Sequence, residues 1–428
     1  MNKIFCIGLG KLGLIFSHIL AECGYKIYGY DINQNIENNI KKNFKDTEPL
    51  LNKLINKNKK KFIFEKNIQV AIEQTDGTFI ILPTPSQKNH EFDNSYIYSA
   101  LNKLGIFLKK KKKYLINITS TVNPGSCNKF ISFLEKKFRL KHGKEFILTY
   151  NPHLIALGSI YNDVINSDLV IVGSDLEYGH AVVKKFYKKV YKKNINRLKF
   201  LNLKEAEISK IAINSFVTMK ISYSNTLSQI SDYEKNINVS KILNTIGFDK
   251  RIGHKYLSLG GLFSGPCFPR DNLNFANYLK KINVENAIPK SIDKINNIQL
   301  SRYLRVYNKL KKLIKNKPRI GICGISYKND TSLTTKSPGE QLYNYFKNKN
   351  KIYVFEKNKI DNNEEKYTIE RDINSFFKKS DIIFICYKNR YFNKISNIKT
   401  HKKKIIIDLW NYVNTKNKKI IIKKIGIS

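Results

Sequence analysis

Cys267 stands in the run Gly265-Pro266-Cys267-Phe268-Pro269-Arg270-Asp271, a single thiol bracketed by turn-forming residues, with a carboxylate four residues further on. The same chain opens with Lys3-Ile4-Phe5-Cys6-Ile7-Gly8-Leu9-Gly10-Lys11-Leu12-Gly13, an apolar strand running into Gly-x-Gly-x-x-Gly. A thiol attacks carbonyl carbon, and a glycine turn of this kind holds a dinucleotide hydride acceptor. Together they are the equipment for oxidising an alcohol past the aldehyde, by way of a covalent thioester, to an acid. The competing reading of Cys267 is an inert buried thiol.

The glycines have separate expected tasks. Gly8 permits the tight turn, Gly10 lets the backbone approach a pyrophosphate, and Gly13 lets the helix pack closely on the strand, so that the phosphates meet a helix N-terminus at Lys11 and Leu12. A second strand, Lys26 to Tyr30, ends in Asp31, eighteen residues after Gly13. Its carboxylate would accept from ribose hydroxyls and repel a 2′-phosphate, which favours NAD over NADP. A structural turn in an α/β protein that binds something else is the alternative.

The elements that must carry these groups follow from the apolar pattern. Phe79 to Leu82 enters Pro83-Thr84-Pro85, and Tyr114 to Ile118 enters Ser120-Thr121-Val122-Asn123-Pro124-Gly125. Phe146 to Tyr150 enters Asn151-Pro152, and Leu169 to Val172 ends at Gly173. This predicts a doubly wound parallel sheet whose loops gather at the strands' C-terminal ends. From Ala206 to about Val239 there is neither Pro nor Gly, so one long helix is expected there, with Lys210 and Asn214 on a shared face. Their alternative is a solvated helix face. Further strands at 319–324, 351–356, 381–386 and 404–408 predict a second Rossmann-like domain. The fold class is therefore α/β, two doubly wound Rossmann-like domains joined by a long central helix and a helical middle region. The expected divisions are 1–200, 201–300 and 301–428.

Composition bounds the rest. With 428 residues, 42% of them hydrophobic, the chain can bury a large core. The 77 basic against 34 acidic residues give +43. That would suit a polyanion, but the lysines are spread along the whole chain amid Asn and Ile, and no nucleic-acid-binding pattern is visible. They read as a solvated surface, with no nucleic-acid partner expected. The six cysteines are scattered singly, against a disulfide framework or a zinc site, and no metal is expected. Cys6, Cys323 and Cys386 lie in apolar strand-like runs and read as core. No apolar run suggests a membrane span or a secretory signal, so the expected address is cytoplasmic.

In their order along the chain, these motifs resemble the nucleotide-sugar 6-dehydrogenases, the family of the UDP-glucose, UDP-N-acetylhexosamine and GDP-mannose dehydrogenases. The resemblance covers nearly the whole chain. It rests on the glycine fingerprint, Leu82-Pro83-Thr84-Pro85, Ser120 to Gly125, Tyr150-Asn151-Pro152, and Lys210 with Asn214. It continues through Arg251-Ile252-Gly253, the Cys267 run, Tyr327-Lys328-Asn329-Asp330-Thr331 and Ser337-Pro338. It implies NAD held by Gly8, Gly10, Lys11, Leu12, Gly13, Asp31, Thr84, Ser120 and Thr121. Cys267 would add to a C6 aldehyde, Lys210 and Asn214 would donate to the C6 oxygen, Asp271 would assist base chemistry, and Thr121 would position water. It also implies a nucleotide-sugar substrate bound by Arg251, Tyr256, Gly261, Phe263, Tyr327 and Lys328. In this pattern Arg251 reaches across a dimer interface, so a homodimer or larger homo-oligomer is expected. The middle region would carry dimerisation and the Cys loop, and the third would bind the nucleotide sugar.

The chain departs from the family pattern in places. Where Asn-Pro-Glu and a second Glu are usual, it has Asn151-Pro152-His153 and Leu157. His153 could shuttle a proton near neutral pH, or occupy the site of a weakened enzyme. Arg270 replaces a Lys, Thr335 an Arg, and Phe263-Ser264-Gly265-Pro266 replaces Phe-Gly-Gly-Ser. The function expected is NAD-dependent four-electron oxidation of a UDP-sugar C6 hydroxyl to the carboxylate. The alternatives are a catalytically impaired nucleotide-sugar-binding protein and a two-electron hydroxyacid dehydrogenase.

Overall fold

The structure is a computed structural model that describes residues 1–42, 48–191, 194–360 and 364–428. It divides into two compact units, Met1–Ala212 and Ile213–Ser428. The boundary falls inside one continuous helix, Leu203–Ile230, that runs from the first unit into the second.

The first unit carries an eight-stranded sheet. Its strands are β1 (Lys3–Ile7), β2 (Lys26–Tyr30), β3 (Phe62–Phe64), β4 (Gly77–Ile80), β5 (Tyr114–Ile118), β6 (Phe146–Tyr150), β7 (Val170–Gly173) and β8 (Leu198–Leu201). They lie in the order β3-β2-β1-β4-β5-β6-β7-β8. The first six follow the dinucleotide-binding order, which reverses direction beside β1. Every pairing is parallel except β6 with β7, which meet at the single antiparallel pair Tyr150–Gly173. Strands covered on both faces need apolar side chains at successive positions, and β4, β5 and β6 are buried along their whole length. Phe16, Phe79 and Phe186 pack in sequence as tilted ring pairs at separations of 5.8 and 5.0 Å. Each of these buried rings contributes roughly 1.5–3 kcal/mol by leaving water.

The second unit repeats the plan with β9 (Ile320–Cys323), β10 (Ile352–Phe355), β11 (Ile369–Glu370), β12 (Ile382–Ile385), β13 (Lys404–Asp408) and β14 (Ile420–Lys424). The order β11-β10-β9-β12-β13-β14 is parallel throughout. Both sheets thus have the expected doubly wound character. Cys6, Cys323 and Cys386 are buried, as their apolar runs predict.

The long helix is a partial correction. It begins at Leu203, close to expectation, but stops at Ile230 instead of continuing to Val239. The stop is a tertiary event. The fully buried Arg302 donates to both carboxylate oxygens of Asp232 at 2.5 and 2.9 Å, and to the Ser228 carbonyl at 2.6 Å. That carbonyl is the one a continuing helix would offer to residue 232. Asn238 then caps a new helix, Val239–Gly247.

Candidate active site

The first unit presents the glycine turn at the C-terminal end of β1. Gly8 has φ +93°, and a Cβ there would lie 2.3 Å from the Ile81 carbonyl oxygen, while one on Gly13 would lie 1.8 Å from the Gly8 carbonyl oxygen. Neither position admits a side chain. A Cβ on Gly10, by contrast, would meet nothing within 4 Å, so that glycine faces open space, as close approach by a pyrophosphate requires. Gly10 heads the helix Lys11–Glu22 with no side-chain cap and no acidic residue in its first turn, which suits an anion on the backbone N–H groups of Lys11 and Leu12. Asp31 Oδ2 accepts from the Leu9 N–H at 2.7 Å, and its Oδ1 from the Asn33 N–H at 2.8 Å. Each oxygen keeps a lone pair for a ribose hydroxyl. These residues fit NAD.

Two neighbouring loops are stapled together beside this turn. The Ser120 hydroxyl accepts from the Leu82 N–H and donates to the Leu82 carbonyl at 2.8 and 2.7 Å. The Thr84 hydroxyl donates to the Thr121 carbonyl at 2.7 Å. Asn123 takes both backbone groups of Phe92 at 3.0 and 2.9 Å. Ser120 and Thr84 therefore fix the loops, leaving the half-buried Thr121 side chain between clamped neighbours.

The Lys210 charge acts on His153 within the same unit. The His153 ring packs edge-on against Phe16 at 4.5 Å, and its Nε2 is buried without a hydrogen-bond partner. Burial, with the Lys210 charge adding to it, pushes the imidazole down to about 4. This corrects the expectation of a proton shuttle titrating near neutrality: at pH 7 the ring is neutral. Lys210 is itself only 7% exposed. Leu157, the other departure, packs against the apolar core.

The second unit gathers Cys267, Asp271 and Asn214. Cys267 is exposed and heads the helix Phe268–Lys281, with Pro269 in its first turn. Helix N-termini favour negative charge, a good setting for a nucleophilic sulfur. The inert-buried-thiol reading instead describes Cys6, Cys127, Cys323 and Cys386, all buried. Desolvation pushes the Cys6 thiol up to about 12 and raises the other three as well. Asp271, fully buried, receives Asn214 Nδ2 at 2.6 Å on one oxygen and Arg270 Nε and Nη2 at 3.0 Å on the other. Ser215 donates to Asn272 at 2.8 Å one residue further along both helices. The pairings fix the helix register.

The loop around the cysteine is shaped by close packing. Gly265 has φ +85°, a Cβ there would lie 2.8 Å from the Tyr327 ring, and its N–H donates to the Thr335 carbonyl at 2.9 Å. Phe263 is buried, its backbone held at both ends by Asn296 at 2.8 and 3.1 Å. Gly261 packs toward Pro338 and Trp410. Tyr256, 45% exposed, holds φ +63° and meets Phe268 edge-on at 6.2 Å. Such a conformation is costly for a bulky residue. Lys328 folds over the Tyr327 ring at 5.8 Å. Arg251 is 88% exposed and pairs with Asp249 at 2.6 Å. Lys220 holds the adjoining turn through the Ile252 and Gly253 carbonyls at 2.9 and 3.2 Å.

Asn296, which holds the Phe263 backbone, and Trp410, against which Gly261 packs, occupy no recognisable pattern.

Two Rossmann-order sheets, a glycine turn fitted to NAD and an exposed cysteine at a helix N-terminus define an α/β dehydrogenase. The NAD binding domain of the UDP-glucose/GDP-mannose dehydrogenase family matches residues 2–191, and the central domain of the same family matches residues 204–298. The chain belongs to that family. It is 28% identical over 445 residues to UDP-glucose 6-dehydrogenase of Rickettsia typhi, covering 100% of this chain and 98% of that protein. It is also 28% identical over 341 residues to a UDP-glucose 6-dehydrogenase of Bacillus subtilis, covering 79% of this chain and 72% of that one. In fold it is similar to a UDP-glucose dehydrogenase from Pyrobaculum islandicum, with TM-score 0.87 and 23% identity over 100% of this chain and 98% of that one. Among the described residues, no helix is long and apolar enough to cross a membrane.

Proposed function

We propose that the chain is an NAD-dependent nucleotide-sugar 6-dehydrogenase that converts the C6 hydroxyl of a UDP-hexose to a carboxylate. Family membership supports the reaction class. The observation that carries the cysteine route is the exposed Cys267 at the head of a helix whose Asp271 is hydrogen-bonded to Asn214.

NAD, when bound, supplies the two-electron acceptor for each of two oxidations. Lys210 and Asn214, one turn apart on a single helix, donate to the C6 oxygen as it gains negative charge. Lys210 can also take the hydroxyl proton when it stands in its neutral amine form. The Cys267 sulfur adds to the C6 aldehyde, giving a thiohemiacetal, and loss of a hydride and a proton turns this into a thioester. Water then attacks the thioester carbon, and the sulfur leaves as thiolate. Asp271, held by Asn214 and Arg270, assists that proton movement, and Thr121 orients the water. Lys328, Tyr327, Tyr256, Phe263 and Gly261 contribute the substrate loop. Arg251 is assigned to the pyrophosphate, across a homo-oligomer contact.

A catalytically impaired binding protein is the second reading, favoured by His153 and Leu157 at positions where carboxylates are usual. Incubating the protein with NAD and, separately, UDP-glucose, UDP-N-acetylglucosamine, UDP-N-acetylgalactosamine and GDP-mannose tests both. NADH release with one of them supports the enzyme; tight sugar binding without NADH supports the impaired protein.

A further inference from the structure

The central helix carries a buried carboxylate that no step above uses. Glu207 is fully buried, and its oxygens accept the N–H groups of Gly125 and of Cys127, the latter at 2.7 Å. Those groups open the helix Ser126–Phe138, whose own N-cap is Gly125, a residue without a side chain to offer. Asp175 makes a companion tie: it accepts from the Leu203 N–H at the start of the central helix at 2.9 Å and from Asn128 Nδ2 at 3.2 Å. Burial raises the Glu207 carboxyl above its ordinary range, and the Cys127 and Gly125 N–H groups work against that rise.

A local Ser or Asp would cap the same helix with far less desolvation. What a cap supplied from 80 residues away adds is register between two elements. On one side, Gly125 closes the loop in which Ser120, the Thr121 carbonyl and Asn123 are each held. On the other, Lys210 lies three residues beyond Glu207 and Asn214 seven, about one and two turns along the same helix face.

We propose that Glu207 is a positioning residue for the reaction: it locks the central helix to the Ser120–Gly125 loop and so sets the placement of Lys210 relative to Thr121. The proposal rests on the reading of Lys210 and Thr121 as reaction groups.

The test is Glu207→Gln in the full-length protein, which keeps the size but turns one acceptor into a donor facing backbone donors. The expected result is a kcat lower by about 10- to 100-fold, with KM for NAD and sugar within about threefold, at a temperature where the variant is folded. Amide hydrogen exchange should rise both at 125–128 and along 203–212. Glu207→Asp, which keeps the charge but shortens the reach, should fall between the two, and it carries the same outcomes if Glu207→Gln does not fold. Wild-type kcat in the variants, with only the melting temperature lowered, would overturn the proposal and leave the reaction assignment standing. If wild-type protein releases no NADH from any of the four sugars, the reaction assignment fails on its own. The exchange data then decide the register lock: a rise confined to 125–128 overturns it, and a joint rise upholds it.

Discussion

The Asn214 side-chain amide donates to Asp271 at 2.6 Å, while Arg270 holds the other oxygen of the same carboxylate at 3.0 Å. The pair joins the central helix to the helix that Cys267 heads, so the amide's orientation depends on a charge 57 residues away. Asp271→Asn removes that charge and leaves one acceptor oxygen for two donors, Asn214 and Arg270. A kcat loss of at least about 100-fold is expected, with about 1–3 kcal/mol of stability lost from the broken charged hydrogen bonds. Steady-state kinetics beside a urea titration checks this. Unchanged kcat with reduced stability would make Asp271 purely structural.

Gly10 and Gly13 should separate cofactor affinity from folding. Gly10→Ala adds a methyl where nothing lies within 4 Å, so the melting temperature should hold while NAD affinity falls at least about tenfold, or 1.4 kcal/mol. Gly13→Ala drives a Cβ to 1.8 Å from the Gly8 oxygen and should lower both. Calorimetric titration with NAD and thermal melts read the two quantities. Equal NAD affinity in Gly10→Ala would remove the pyrophosphate from that turn.

The exposed sulfur depends on Gly265. Gly265→Ala puts a Cβ 2.8 Å from the Tyr327 ring at a backbone angle of +85°, so the loop must shift, and the rate of Cys267 alkylation should change. Adding Tyr327→Ala relieves the contact but not the backbone strain, so recovery should be partial. Full recovery would show that the left-handed turn contributes nothing.

Two histidines give the first unit an acid limit. His18, fully buried and stacked on Phe62 at 4.5 Å, is pushed down to about 4 by desolvation, and so is His153. Unfolded histidine titrates near 6.5, so between these values the unfolded chain binds more protons. The stabilisation is complete above about pH 6.5 and disappears as pH falls through 4, on the order of 3 kcal/mol for His18. Melting temperature against pH should fall across that window, and His18→Phe should flatten the slope. An unchanged slope in the variant would contradict a neutral buried His18.

Much of this was legible from residue order. Strands buried on both faces write themselves as apolar runs, so β5, β6 and β13 coincide with the expected segments, and Gly8 and Gly13 announce their own close contacts. The end of the central helix was not legible. It is set by Arg302, 70 residues from the Asp232 it captures. Glu207 was hidden for the same reason, since its partners at Gly125 and Cys127 are defined only by the folded chain. The protonation of His153 depends on its burial against Phe16 and on the Lys210 charge, which its sequence neighbours do not reveal.

The most direct test counts NADH released per sugar consumed, in the wild type and in Cys267→Ala, with the product identified by mass. Two NADH and a uronic acid are expected for the wild type, and no acid from Cys267→Ala. One NADH per sugar in the wild type, or uronic acid made at the normal rate without the sulfur, would rule out the thioester route.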